Sequence, residues 1–175
     1  NTGKLFGSKE RMNAVDGMSF YIKKGGTYGL VGESGCGKST SGRAIVGLTK
    51  TDSGSIFYEG TDLCSLSEKE FRPFRKEIQM VFQNTLSALN PRQRIGSILE
   101  GILFIHGVKD REERRNQAVE VLRRVGLEKE YYFRFPHELS GGQVQRLGIA
   151  SALVVQPKLI VCDEPVSALD VSIQV

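Results

Sequence analysis

The alternation of apolar and polar positions in the first third of the chain predicts an α/β fold. Residues 15–22 alternate apolar and polar side chains, and the apolar segment 27–31 follows a turn at Gly25-Gly26, so both segments are predicted to be strands. Residues 39–48 carry apolar side chains at helical spacing, and residues 54–58 return as a strand. The pattern predicts an α/β unit with antiparallel strands added to it.

The middle third changes to helical spacing. Ser67 and Glu70 form a capping box for a short helix that we expect to end near Arg75, and residues 77–83 are predicted to be a strand. A helix over residues 94–105 follows from apolar side chains spaced three or four apart. They are Ile95, Ile98, Leu99, Ile102 and Ile105. Asp110 can cap a further helix that reaches Val125, where Gly126 ends it.

In the last third of the chain, the pattern of apolar residues predicts a helix over residues 141–155 and an apolar strand over residues 159–162. The whole pattern predicts a parallel sheet with helices on both faces and a helical insertion. We expect a single domain over residues 1–175. Its core comprises residues 1–83 and 156–175, and residues 84–155 form the helical subdomain.

Composition and charge add little to this picture. The net charge is +4, but basic residues alternate with acidic ones, as in residues 109–115, which favours a solvated helix face over a nucleic-acid surface. The cysteines at 36, 64 and 162 are odd in number and widely spaced, so they predict neither a disulfide framework nor a metal site. No apolar stretch approaches the roughly 20 residues needed to span a bilayer.

Residues 32–39 match the phosphate-loop pattern G-x-x-x-x-G-K-[ST], between a predicted strand and a predicted helix. Glycines let the backbone curl so that its N–H groups point at phosphate oxygens, and the following helix adds a partial positive charge. Lys38 can reach the β- and γ-phosphates, and the Ser39 hydroxyl can bind Mg²⁺. A glycine-rich turn with an incidental lysine is the structural alternative.

The segment from Ser140 to Gln143 has two interpretations. Ser140 and Gln143 can form a capping box that only stabilises the following helix. The adjacent Gly141 and Gly142 each cost about 1 kcal/mol in a helix relative to alanine. They make sense if a phosphate group of another molecule must approach their N–H groups.

Asp163 and Glu164 follow the last predicted strand. Two carboxylates after a buried strand are costly unless a cation or a proton-transfer role compensates them. With a phosphate loop upstream, Asp163 is the predicted Mg²⁺ partner and Glu164 the predicted base for an attacking water. A surface turn is the structural alternative.

These motifs, in this order and spacing, resemble the ATP-binding subunits of ABC transporters over nearly the whole chain. The matching segments are the phosphate loop 32–40, the Q-loop Gln83, the signature 139–143, the Walker B strand 159–164 and the D-loop 167–170. The resemblance implies a P-loop NTPase fold of the ABC ATPase type, which binds and hydrolyses ATP with Mg²⁺.

The resemblance also implies a role for each matching residue. ATP would be bound by the phosphate loop, namely Gly32, Ser34, Gly35, Cys36, Gly37, Lys38, Ser39 and Thr40. Mg²⁺ would be held by Ser39, Gln83 and Asp163, and catalysis would rest on Glu164 and Gln83. Phe6 is the candidate for stacking on adenine, with an unstructured terminal residue as its alternative. Ser140, Gly141, Gly142 and Gln143 would complete the ATP site of a second subunit.

Finer features resemble the oligopeptide, dipeptide and nickel importers, notably residues 81–84, 89–92, 135–140 and 162–174. Thr85 departs from the usual proline of that subfamily, and Val144 from its usual polar residue. The resemblance implies a motor subunit at the cytoplasmic face of the cell membrane. It would pair with a different ATPase subunit and with transmembrane permease subunits, and no nucleic acid is expected.

Two alternative functions stay open on the sequence. One is an ABC ATPase of translation, which carries two such domains in one chain, and the other is a domain that binds nucleotide without turnover. A repair-type ATPase is excluded because only about 100 residues, too few for its long coiled coil, separate the phosphate loop from the signature. We also expect the natural chain to continue beyond Val175 with a strand that carries the family's switch histidine. Without that strand, residues 28–31 and 159–162 would face each other across a gap.

Overall fold

The computed structural model describes residues 14–164, which form helices and short strands around two apolar cores. The helices are α1 (Lys38–Ile45), α2 (Glu68–Phe71), α3 (Phe74–Glu77), α4 (Thr85–Ala88), α5 (Ile95–Ile105), α6 (Arg111–Arg124) and α7 (Gly141–Leu153). The strands are β1 (Phe57–Tyr58), β2 (Thr61–Asp62), β3 (Ile78–Val81) and β4 (Leu159–Cys162), and short 3₁₀ turns cover Leu63–Ser65, Lys129–Phe133 and Pro136–Glu138. The mixed α/β composition with an antiparallel addition and a helical part agrees with the fold class expected from the sequence.

The parallel pair β3–β4 forms the centre of the α/β part. Ile78 lies opposite Leu159 and Val81 opposite Cys162, so both strands end at the same edge. The strands β1 and β2 form an antiparallel hairpin, whose turn residues Glu59 and Gly60 both have positive φ, 46° and 86°. Two central residues with positive φ are typical of the tight hairpin turn whose twist matches the strands.

The predicted strands at residues 15–22 and 27–31 are wrong within the described part of the chain. Their backbones join no ladder there. In the described residues β4 pairs with β3 and not with residues 28–31, which agrees with the expectation that these two segments do not pair directly. The predicted turn is present, since the Gly26 N–H donates to the Lys23 carbonyl at 2.8 Å, and the rings of Phe20 and Tyr28 stack beyond it at 4.6 Å. Alternating side chains favour a strand, but a strand also needs a neighbour for its backbone hydrogen bonds.

Other boundaries differ from the sequence prediction for local reasons. The helix expected to run from the Ser67 capping box to Arg75 is divided into α2 and α3 at Pro73, which lacks the N–H that a helix interior needs. The capping box itself is confirmed. On α5 the buried face contains Leu103, at 1% exposure, whereas Ile105 is 72% exposed.

The helical part has its own core, formed mainly by α5, α6 and α7. Leu99, Leu122 and Leu147 are fully buried there, and each such side chain contributes about 1.5–3 kcal/mol relative to exposure. As predicted, the Asp110 carboxylate caps α6, accepting a hydrogen bond from the Glu113 N–H at 2.6 Å. Gly126 then leaves the helix with φ 73°.

The second core joins α1 to the parallel strands. Val46, Phe71 and Met80 are buried in it, and Leu159 and Val161 of β4 pack against it. Gly42 of α1 lies so close to the sheet that a Cβ there would be 3.1 Å from Val161 Cγ1. This close approach fixes the helix that follows the phosphate loop against the strand that ends at Asp163.

Candidate functional site

The loop before α1 has the backbone that the phosphate-loop pattern predicts. Gly35 and Gly37 have φ 81° and 95°, in the left-handed region that glycine adopts without strain. A Cβ on Gly37 would collide with the Ala14 carbonyl and lie 2.9 Å from Val15 Cγ2. Gly37, which precedes α1, has no side chain to cap the helix, and an α-helix leaves the amides of its first turn without acceptors of its own.

Lys38 folds back over this loop. Its ammonium donates hydrogen bonds to the carbonyls of Gly32 at 2.7 Å and Glu33 at 2.6 Å, and lies 3.7 Å from Cys36 Sγ. A lysine ammonium has three donors, and in this structure two go to these carbonyls and the third to the Cys36 sulfur, so all three close the loop. The loop is therefore curled around the group that would neutralise a bound phosphate.

Ser39, at the start of α1, contacts the end of β4. Its hydroxyl donates to Asp163 Oδ1 at 2.7 Å, across 124 residues of sequence. The Asp163 N–H donates to the Val81 carbonyl at 2.9 Å, which extends the parallel ladder by one residue and fixes the carboxylate. A hydroxyl and a carboxylate oxygen are ligands that suit Mg²⁺, which prefers hard oxygen donors. The residues present therefore fit the ion that the family implies.

Gln83 and Glu164 meet at the same edge. Each lies two residues beyond its strand, and Gln83 Nε2 donates to Glu164 Oε2 at 2.5 Å. Glu164 has φ 50°, a conformation that costs a residue with a side chain about 1–3 kcal/mol and is found most often at functional sites. The structure thus brings the loop, Ser39, Asp163, Gln83 and Glu164 together.

The signature residues lie in the helical part. The Ser140–Gln143 capping box is confirmed: the Ser140 N–H donates to Gln143 Oε1 at 2.9 Å, and the Gln143 N–H donates to Ser140 Oγ at 3.4 Å. Gly141 is exposed, and a Cβ placed on it would meet nothing within 4 Å. The contacts of Ser140 and Gln143 are thus made within the helical part and not with the phosphate loop.

One hydrogen-bond partner of the signature has no signal in the sequence. Gln143 Nε2 also donates to the Tyr131 hydroxyl at 2.7 Å. Nothing in the sequence distinguishes Tyr131 from Tyr132, because the contact depends on how the turn Lys129–Phe133 packs against α7. Phe6 and the D-loop residues 167–170 lie outside the described residues.

Cys162, the last residue of β4, lies beside the carboxylate pair without joining its chemistry. Burial raises the pKa of its thiol, so it stays protonated at neutral pH. Within residues 14–164, no helix combines the length and the apolar character that crossing a membrane requires.

Comparison with known proteins gives consistent matches. The family model described as "ABC transporter" matches residues 15–167. The chain is 52% identical to the oligopeptide transport ATP-binding protein AppF of Bacillus subtilis, over 93% of this chain and 50% of that protein. It is 50% identical to OppF, the oligopeptide transport ATP-binding protein of Salmonella typhimurium, over 93% of this chain and 49% of the relative. The chain therefore spans about half the length of the curated relatives it matches.

A solved structure shares the fold. It is a dimeric post-hydrolysis state of the ATP-binding cassette MJ0796 bound to ADP and Pi. It is 34% identical and has a TM-score of 0.83, covering 91% of this chain and 69% of that one.

Proposed function

Because this chain belongs to the ABC transporter family, we propose that it binds ATP at residues 32–40 and hydrolyses it as the motor of a peptide importer. The observation that carries the proposal is the 2.7 Å bond between Ser39 and Asp163. It joins the helix after the phosphate loop to the end of the parallel strand. Such a junction provides a phosphate cradle and a carboxylate in one place.

Each residue of this edge has a proposed role. The loop amides and Lys38 bind the phosphates, as a curled glycine-rich loop with a lysine does in other NTPases. Glu164 takes the proton of the attacking water, and Gln83, which now donates to its carboxylate, orients that water. Ser39, Gln83 and Asp163 are the proposed Mg²⁺ ligands. When bound, this ion would neutralise charge on the transferring phosphate.

The proposed assembly follows from the location of the signature. Ser140, Gly141, Gly142 and Gln143 lie at the start of α7 in the helical part, where a Cβ placed on Gly141 would meet nothing within 4 Å. We propose that they complete an ATP site held by a second, different ATPase subunit. Transmembrane permease subunits would hold the pair at the cytoplasmic face of the cell membrane, and Phe6 would stack on adenine.

The two separate cores support the proposed division of the domain. One is built from residues between Ile95 and Val155, and the other from residues between Val46 and Met80 with β4 packed against it. We propose a core of residues 1–83 and 156–175 with a helical subdomain of residues 84–155. The peptide-transport relatives favour an importer over a translation ATPase.

Glu164→Gln in the full-length protein tests the proposal. The amide keeps the shape of the side chain but cannot accept the proton of water, so we expect ATP binding to persist and turnover to fall by roughly 10²–10⁴. Glu120→Gln, on the exposed face of α6 where Glu120 pairs with Arg123, is the matched control and should retain full activity. Near-parental hydrolysis by Glu164→Gln would refute the assignment of the base. Absence of ATP binding in the parent would refute the proposed function.

A further inference from the structure

Tyr131 connects the signature to the helical core. Its hydroxyl accepts a hydrogen bond from Gln143 Nε2 at 2.7 Å, and its ring packs against the core that α5, α6 and α7 share. The Arg134 guanidinium lies 4.6 Å from the ring centroid. The Arg134 carbonyl in turn accepts a hydrogen bond from the Ile95 N–H at 2.9 Å. The tyrosine is therefore fixed to α5 on one side and to the first turn of α7 on the other.

The Gln143 amide has one orientation that satisfies both neighbours. Its oxygen must face the Ser140 N–H, because two N–H groups facing each other would leave both without an acceptor. Its nitrogen then faces the Tyr131 hydroxyl. A free glutamine side chain rotates readily, and fixing it costs conformational entropy. Tyr131 supplies the contact that holds the amide in place.

The orientation of this amide determines which backbone groups the helix start offers. An α-helix leaves its first amides without internal acceptors. Here Gln143 Oε1 occupies the Ser140 N–H, and Ser140 Oγ occupies the Gln143 N–H. By the same rule, the amides of Gly141 and Gly142 have no acceptor within the helix itself.

We propose that Tyr131 is a positioning residue for the signature: by holding the Gln143 amide, it keeps the Ser140–Gln143 capping box closed and the Gly141 and Gly142 amides aimed outward. The inference rests on the proposed function, in which these amides meet ATP on the second subunit. Tyr131 touches neither nucleotide nor the phosphate loop, and it acts through Gln143.

The test is Tyr131→Phe in the full-length subunit, assembled with its partner subunits. The change removes one hydroxyl and keeps the ring, so the loss corresponds to a single neutral hydrogen bond. We expect kcat/KM for ATP hydrolysis by the assembled transporter to fall about two- to tenfold. The affinity of the isolated subunit for ATP, measured by calorimetry, should stay unchanged, because the phosphate loop lies in the other part of the chain.

Tyr132→Phe is the matched control. It removes a hydroxyl from the adjacent residue of the same turn, where the partner is Glu100 and not Gln143. Its kcat/KM should equal the parental value. The second arm is Tyr131→Phe in a Gln143→Ala background, where it should have no further effect, since the group it acts through is gone.

The results of these variants separate the role of Tyr131 from the proposed function itself. Unchanged kcat/KM in Tyr131→Phe overturns the inference, as does an equal further loss in the Gln143→Ala background. If Tyr131→Phe proves too unstable to assay, Gln143→Leu keeps the tyrosine and removes the amide. Parental kcat/KM in that variant overturns the inference as well. A parent that binds no ATP would refute the proposed function itself, whereas a parental rate in Tyr131→Phe refutes the role of Tyr131 alone.

Discussion

Replacing Lys38 by methionine removes the ammonium group and keeps most of the apolar stem, so it isolates the charge of the phosphate loop. In the structure this ammonium donates to the carbonyls of Gly32 and Glu33 at 2.7 and 2.6 Å. Its third donor faces Cys36 Sγ at 3.7 Å, a weak acceptor that a phosphate oxygen would displace. The variant tests whether that third donor binds nucleotide.

The expected loss follows from this donor count. One hydrogen bond to a charged group contributes about 1.5–3 kcal/mol, which corresponds to a loss of roughly tenfold to a hundredfold in ATP affinity. A larger loss is expected only if the loop also opens when the two bonds to its carbonyls are removed. These two bonds are solvent-exposed, so we expect a small change in the free energy of unfolding.

Calorimetric titration of the full-length protein with ATP and Mg²⁺ measures the effect. Lys158→Met is the matched control, because Lys158 pairs with Glu77 and Glu59 at the opposite end of the parallel strands. That variant should bind ATP with parental affinity. An affinity within about twofold of the parent in Lys38→Met would refute the reasoning, and so would an equal loss in the control.

Two further predictions concern thiol chemistry and pH. Cys36 is exposed and its Sγ lies 3.7 Å from the Lys38 ammonium. Alkylation of Cys36 should abolish nucleotide binding, and saturating ATP should slow the alkylation. Equal labelling of Cys36 with and without ATP, measured by mass spectrometry, would contradict this prediction. Hydrogen bonds from Lys158 and, to a smaller extent, from Tyr58 lower the pKa of Glu77. The ionised carboxylate therefore stabilises the fold above the ordinary glutamate pKa of about 4.3. This stability is lost as the pH falls through the lowered pKa. The difference in denaturant midpoint between the parent and Glu77→Gln should therefore shrink below about pH 4; a difference that persists in acid would refute the assignment.

Much of the site could be predicted because its residues are defined by short local patterns. The capping boxes at Ser67 and Ser140 and the cap at Asp110 each involve groups three residues apart, so sequence alone determines them. The contact of Ser39 with Asp163 was predictable because a phosphate loop and a strand ending in carboxylates have few ways to meet. The parallel strands β3 and β4 end at the same edge, and this brings Gln83 and Glu164 into contact.

The sequence predictions fail where packing against a neighbouring element determines the structure. Residues 27–31 have a strand-like pattern, but no neighbouring strand in the described residues pairs with them, and the Val31 side chain is 93% exposed. Helical spacing alone could not distinguish Leu103 from Ile105 on α5. The contact of Tyr131 with Gln143 depends on the packing of a turn against a helix, and no spacing rule encodes it.

The long sequence separation between Ser39 and Asp163 affects how the protein folds during its synthesis on the ribosome. At typical synthesis rates of 5–20 residues per second, the 124 residues between them take about 6 to 25 seconds to make. During that time the phosphate loop has been made, while β4 and its carboxylates do not yet exist. The helical part is complete in the interval, and its own core can form from nearby contacts. Pairing of β3 with β4 then closes a loop of 81 residues, at an entropic cost of about 4 kcal/mol if that loop were still flexible. The contact between Ser39 and Asp163 is therefore completed last, after the helical part has already shortened the distance that the chain must search.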